Sequence, residues 1–320
     1  MKILKEDKYF QYGLSKPIKW YWLKRILYGL IDAYYQVLVR LIPMPKENSS
    51  LYQLSLILIF KDEAPYLREW LEYHLMLGVQ HFYLYQNNST DDYAVVLQPY
   101  IDQGLVTLIE WPDHPGQYSA YYHWYQNYRH ESHWASFIDI DEFLCPFKET
   151  SLVDMLRQYE KYPVGLVYWK LFGTSGIMQH DYSKLVVEQY FCSRPKLFSE
   201  GKIIYNTRFD AATNLITMHG MDVKWHGIKI PPVNTFKRFI VWDLHHVNWK
   251  NDAVLQLNHY WSKSFESWRQ KHEKGSVEKG IRYRDYPFFE RLEVECTSVD
   301  YTIYRFLGKL KLRMSSILEK

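Results

Sequence analysis

Three carboxylates fall within four residues at Asp139-Ile140-Asp141-Glu142, directly after the apolar lead-in Trp134, Ala135, Phe137 and Ile138. Such a lead-in has the composition of a strand buried between layers. Side chains alternate along a strand, so Asp139 and Asp141 are expected on one side and Ile140 on the other. Two acids on one side of an apolar strand repel each other, and desolvating them unpaired costs several kcal/mol. A hard divalent cation, Mn²⁺ or Mg²⁺, removes that cost, because carboxylate oxygens hold it while leaving positions open for water or phosphate. In open α/β sheets ligands gather beyond the carboxyl ends of strands, which is where this motif falls. An isolated Asp-X-Asp is more often a solvated acidic turn after an edge strand, so the surrounding elements must decide.

Those elements form a regular series. Leu54–Phe60 reads as a buried strand. The loop Lys61-Asp62-Glu63-Ala64-Pro65 has helix-start chemistry, and apolar spacing predicts a helix over Tyr66–Leu77, ended by Gly78. A strand follows over Val79–Tyr85, then a polar turn-rich loop over Gln86–Asp92, a short helix over Val95–Tyr100 and a strand over Gly104–Trp111. A helix over Gln117–Arg129 delivers the chain to the acidic motif. This alternation predicts an α/β fold, a parallel sheet with helices on both faces and right-handed crossovers. Beyond Pro146 the pattern gives a helix over Leu152–Tyr162, a strand over Gly165–Phe172 and a small-residue loop, Gly173-Thr174-Ser175-Gly176, open to close approach by a ligand. That loop lacks the lysine of a phosphate-binding loop. Residues 198–227 show no clear period. Leu255–Phe265 is a second strand-to-loop transition, carrying His259 and Lys263, with a charged helix from near Ser264. Residues 1–50 read as an amphipathic helical extension, 51–275 as the α/β domain and 276–320 as a charged helical tail.

Composition bounds the function. The 320 residues are 47% hydrophobic and 23% charged, which is globular rather than disordered. A net charge of +3 argues against nucleic acid as the partner. The three cysteines, Cys145, Cys192 and Cys296, have no metal-ligand spacing and outline no disulfide framework, which fits a reducing compartment. The N-terminus shows no secretory apolar region, so a cytoplasmic location is expected. The run from Trp20 to Ile42 is aromatic and apolar but interrupted by Lys24, Arg25, Asp32 and Arg40, too charged to span a bilayer. It reads either as a helix lying peripherally on the inner face of the cell membrane or as one packed on the main domain.

Several of these stretches together resemble glycosyltransferase family 92, a GT-A-type family of the glycosyltransferase 2-like kind. They are Lys61-Asp62-Glu63-Ala64-Pro65-Tyr66-Leu67 with Glu69-Trp70 and Glu72-Tyr73-His74; Gly78-Val79 with His81-Phe82-Tyr83 and Asn87, Ser89-Thr90-Asp91; Trp134 with Phe137–Phe143; Trp169-Lys170 with Gly173–Gly176; and Asn258-His259-Tyr260-Trp261 with Lys263-Ser264. The match runs in order over roughly residues 54–275, with Gln86 standing where many relatives have Asp. The resemblance implies an open, mostly parallel, Rossmann-like GT-A sheet and a metal-dependent transfer of a sugar from a nucleotide-sugar donor, expected to be UDP-linked, to a glycan or lipid-linked acceptor hydroxyl. It implies that Asp139 lies nearer the ribose and Asp141 nearer the Mn²⁺ or Mg²⁺ ion. His259 then reads as a further metal ligand or, alternatively, as a core histidine, and Lys263 as a partner of diphosphate oxygens. Lys61, Asp62, Glu63 and Arg68 would face the nucleotide, and Asn87, Ser89 and Asp91 the base or ribose; Glu63 and Arg68 could equally be helix-start and helix-surface charges. Inversion at the sugar carbon, also implied, requires a general base, for which Asp222 and Glu188 are the acids on offer.

Two rival readings belong to other classes. A non-catalytic glycan-binding or membrane-tethered scaffold could retain the same fold. An Asp-nucleophile phosphotransferase also carries Asp-X-Asp after a buried strand, but it would want Gly-Thr or similar after the second Asp, where Glu142-Phe143 stands.

Overall fold

The structure, a computed structural model, describes residues 20–46, 49–212, 219–221, 223–241, 253–274 and 285–316. Its centre is a nine-stranded mixed sheet. The strands are β1 (Tyr52–Phe60), β2 (His81–Gln86), β3 (Val106–Glu110), β4 (Ser132–Phe137), β5 (Glu142–Pro146), β6 (Val164–Leu171), β7 (Gly201–Asn206), β8 (Val233–Asn234) and β9 (Leu255–His259). Their spatial order is β3-β2-β1-β4-β7-β6-β9-β5, with β8 paired to the start of β6. The four strands β1 to β4 run parallel, as the alternation predicts. β7 then enters antiparallel to both β4 and β6, β9 runs parallel to β6, and β5 closes the sheet antiparallel to β9. β7 lies in the stretch without a readable period, so its central place is new information from the fold.

Helices cover both faces. They are α1 (Tyr21–Leu41), α2 (Ala64–Met76), α3 (Tyr93–Asp102), α4 (Gln117–Asn127), α5 (Leu152–Leu156), α6 (Val186–Gln189), α7 (Phe265–Lys274), α8 (Tyr286–Glu295) and α9 (Leu307–Ser316). Leu54, Leu56 and Leu58 of β1 point into a core shared with α2, α3 and α5. Ile57 of the same strand, with Phe137 and Tyr205, packs with α4 on the other face. The helix expected over Leu152–Tyr162 is cut short, since α5 passes into a 3₁₀ turn over Arg157–Tyr159 before Pro163 opens β6.

Strand β5 is an edge, and an edge exposes unpaired backbone groups. α2 covers them with side chains. Trp70 Nε1 donates to the Glu142 carbonyl at 3.0 Å, Tyr73 Oη donates to the Leu144 carbonyl at 2.9 Å, and the Leu144 amide donates to His74 Nε2 at 3.3 Å. Burial holds the His74 imidazole down to about 3, so it stays neutral and can accept. The aromatic motif of α2 is therefore what fixes β5, and with it the turn bearing the acids. The C-terminal segment packs on the same helix: Leu310 is buried and Arg313 Nη2 meets Glu72 Oε2 at 2.7 Å. At the other end of the chain, α1 is docked through Tyr28, Asp32 and Gln36 onto the turn Lys237–Phe239. Among the described residues no helix is long and apolar enough to cross a membrane.

The edge cover makes a direct prediction. Tyr73→Phe leaves the packing in place but strips the donor from the buried Leu144 carbonyl, and should cost about 1–3 kcal/mol in urea unfolding. A variant as stable as the parent would mean that α2 holds β5 by packing alone.

Candidate active site

The two aspartates do not sit on a strand. β4 ends at Phe137 and β5 begins at Glu142, and between them the Glu142 amide donates to the Asp139 carbonyl at 3.0 Å, closing a turn. The expected alternation of Asp139 and Asp141 about Ile140 is lost, because a turn does not keep the pleat of a strand. The two carboxylates are instead taken by different cations. Lys202, on β7, donates to Asp139 Oδ2 at 2.7 Å and lies 3.7 Å from Glu142 Oε2. Lys271, on α7, donates to Asp141 Oδ2 at 2.7 Å, and His259 Nε2, at the end of β9, lies 3.6 Å from Asp141 Oδ1.

Glu142 is the buried foundation of the turn. Its Oε2 accepts the Asp139 amide at 2.8 Å and its Oε1 accepts Trp169 Nε1 at 2.6 Å. Burial pushes this carboxyl well above the usual range, against the pull of Lys202. Burial alone would lower the Lys202 ammonium, but Asp139 and Glu142 outweigh it and keep the group charged. Asp141 is also buried, which alone would raise it; Lys271, His259 and Lys263 overcome that and hold it well below the carboxylate range. Lys202 reaches this position because β7 comes very close to β6 at Gly201, where any Cβ would collide with the Val167 carbonyl oxygen.

The loops after β1 and β2 interlock beside the acids. The Asp62 amide donates to Ser89 Oγ at 3.0 Å, the Thr90 amide to Asp62 Oδ1 at 2.8 Å and the Ala64 amide to Asp91 Oδ2 at 2.7 Å. Asn87 spends its side-chain amide on the carbonyls of Trp111 and Asp113, at 2.6 and 2.8 Å, and so shapes the loop after β3. Glu63 bridges to the acid cluster through Lys263, whose Nζ lies 3.7 Å from Glu63 Oε2 and 4.0 Å from the centre of the Tyr66 ring. Lys61 is exposed at the mouth of this loop. Arg68 interacts with Tyr100 of α3. Of the two acids offered as general base, Glu188 meets Lys311 Nζ at 2.5 Å on the C-terminal segment, and Asp222 lies outside the described residues.

Lys202, Lys271, Gln117 (3.4 Å from Asp139 Oδ1) and Trp169 belong to the site without having been singled out for it. The available signal for Lys202 was a lone charge in Gly201-Lys202-Ile203-Ile204-Tyr205, a residue pattern that a buried strand tolerates only when the charge is paired. A cavity lined by Trp134, Leu156, Tyr159 and Leu255 lies in the apolar core and includes none of these groups.

The donor set can be tested for a metal. Among the described residues no three His, Cys, Asp or Glu side chains converge as a cage. Asp141 and His259 do converge, a carboxylate oxygen and an imidazole nitrogen 3.6 Å apart. Two protein donors of this kind suit a hard or borderline divalent ion that takes its remaining positions from diphosphate and water, Mn²⁺ accepting the mixed N/O set readily. Asp139, engaged by Lys202, stands outside that pair.

An open α/β sheet with a charged site beyond its strand ends is the arrangement of nucleotide-binding α/β enzymes. The chain belongs to glycosyltransferase family 92, whose family model matches residues 57–285. A family 92 protein of rice (Oryza sativa subsp. japonica) is 33% identical over 126 residues, 38% of this chain and 22% of that protein. One of Ricinus communis is 24% identical over 226 residues, 69% of this chain and 37% of the relative. A galactan β-1,4-galactosyltransferase of Arabidopsis thaliana is 32% identical over 112 residues, 31% of this chain and 22% of its own length. The chain thus spans well under half the length of these relatives. Among solved structures, S. aureus TarS residues 1–349 in complex with UDP aligns with a TM-score of 0.34 at 12% identity, covering 48% of this chain and 47% of that one. A Pyrobaculum calidifontis mannosyltransferase in complex with GDP-Man and Mn²⁺ aligns with a TM-score of 0.30 at 14% identity, covering 58% and 55%.

Removing the buried cation should be costly. Lys202→Met leaves Asp139 and Glu142 without their ammonium, and should destabilise the fold by about 3–5 kcal/mol in chemical denaturation. Adding Glu142→Gln to that variant should recover part of the loss; a single variant of parental stability would show the ion pair to be dispensable.

Proposed function

We propose that the chain is a metal-dependent glycosyltransferase that moves a sugar from a UDP-linked donor to a glycan or lipid-linked acceptor hydroxyl, with inversion. The observation that carries this reading is Asp141, a buried carboxylate ringed by His259, Lys263 and Lys271 beside the loops that follow β1 and β2. Glycosyl transfer expels a nucleoside diphosphate, so negative charge grows on a phosphate oxygen as the sugar leaves. Asp141 and His259 would hold the Mn²⁺ or Mg²⁺ ion, which when bound stabilises that charge without a proton donor.

The chain's own residues supply the rest. Lys263, buried and held over the Tyr66 ring, places a fixed positive charge next to the diphosphate side of the site. Lys271, half-exposed on its helix, can leave Asp141 for a phosphate oxygen at little desolvation cost. Asp139 keeps one oxygen on Lys202 and directs the other toward Gln117, an orientation suited to a ribose hydroxyl. Asp62, Ser89 and Asp91 fix the loop pair on which the base would rest. In-line attack by the acceptor requires a base for its proton, and no residue is assigned to that role.

The name of the Arabidopsis relatives makes a galactosyl donor the first to try. Nucleotide release should be measured over a panel of UDP- and GDP-sugars with Mn²⁺, with Mg²⁺ and in chelator. Release from a UDP-sugar that chelator abolishes is the expected result. Asp141→Ala should lower it about 100-fold or more, and His259→Ala should raise the Mn²⁺ needed for half-activity about tenfold. If folded protein releases nucleotide from no donor, the glycan-binding scaffold becomes the better account.

A further inference from the structure

α1 is apolar on both sides, yet among the described residues only one side is docked. Inward, Tyr28 donates to the Phe239 carbonyl at 2.8 Å, Asp32 meets Arg238 Nη1 at 2.6 Å and Gln36 donates to the Lys237 carbonyl at 2.7 Å, with Val39 buried behind them. Outward, Leu23, Leu27, Leu30, Tyr34, Val37 and Leu41 follow one another at alternating steps of four and three residues, so they share one face of the helix. Their exposure runs from 41% at Leu27 to 75% at Leu41, and Trp20 and Ile26 extend the stripe. A contiguous apolar surface of this kind marks a contact with something other than water.

Charge says what that contact is. The sole acid in the helix, Asp32, is turned inward onto Arg238, so the outer face carries no negative charge. Exposed Lys24 and Arg40 fall on opposite edges of the stripe at 100° per residue. Basic edges around an apolar face are how a helix lies in a lipid interface, stems laid along the surface and charges reaching the headgroups. We propose that this face of α1 rests in the interfacial region of an anionic bilayer and holds the protein there peripherally. A second copy fits less well, because a helix pair draws its register from complementary charges beside the seam, and here those positions offer Lys24 and Arg40 with no acid to answer them. The helix both packs on the domain and faces lipid, each with its own side. The turn it grips follows β8, which pairs with the start of β6, so the acid site opens at the opposite end of the strands from the membrane contact. The proposal is independent of the catalytic reading.

Sedimentation of the full chain with vesicles decides it. The protein should pellet with vesicles of phosphatidylcholine and phosphatidylglycerol in equal parts, and far less with phosphatidylcholine alone. Leu27→Ser with Leu30→Ser should lower the bound-to-free ratio about tenfold while the thermal melt stays in place, since both side chains already face out. Lys24→Gln with Arg40→Gln should weaken binding to the anionic vesicles only. The proposal is overturned if the parent stays in the supernatant, if the leucine variant binds as the parent does, or if light scattering shows a dimer that the leucine variant splits.

Discussion

An ammonium group sealed between two carboxylates sets the geometry of this protein. Lys202 lies beneath the turn that follows β4, bonded to the partly exposed Asp139 and close to Glu142, and it and Glu142 are buried where an unpaired charge would be expelled. Lys202 is carried by β7, which runs antiparallel between β4 and β6 and breaks the parallel run of β1 to β4. With Asp139 and Glu142 held from below, Asp141 is left to face the other way, toward β9 and α7. One ion pair thereby fixes Glu142 and one oxygen of Asp139, and leaves Asp141 turned to the other side.

Much of this was legible in the chain. The alternation from Leu54 to Phe143 gave the order of β1 to β4 and the helices between them, because each strand is a continuous apolar run and each helix has its own spacing. The stretch Leu255–Leu257 likewise marks the strand that ends at His259, which lies 3.6 Å from Asp141 Oδ1, and the loop beyond it that carries Lys263, 3.7 Å from Glu63 Oε2. Lys202 was not legible. Its strand is interrupted by Gly201 and a charge, and the pairing that makes the charge tolerable lies 63 residues away in sequence. The orientation of the two aspartates departs from strand alternation for a related reason: an apolar lead-in does not reveal where hydrogen bonding stops and a turn begins.

The polar and aromatic residues of α2 illustrate how a family signature can be structural. Trp70, Tyr73 and His74 satisfy the open edge of β5, while Glu69 accepts the Val186 and Val187 amides at 2.7 and 3.0 Å. Burial raises the Glu69 carboxyl to about 7, opposed by those two amides. These residues act on the site by holding the backbone from which the acids project, and the C-terminal segment braces the same helix through Glu72 and Arg313. α1 is attached through a separate turn, so its outer face is free to serve location rather than catalysis.

The proposed cation site of Asp141 and His259 offers two protein donors, and a nucleoside diphosphate would complete it. Electron paramagnetic resonance of Mn²⁺ titrated with the protein, alone and with UDP, tests it most directly. Mn²⁺ should bind weakly to the protein alone, where Lys271 competes for Asp141, and tightly once UDP is present, the tight binding being lost in Asp141→Asn. Equal binding with and without UDP, or binding unchanged in Asp141→Asn, would contradict it.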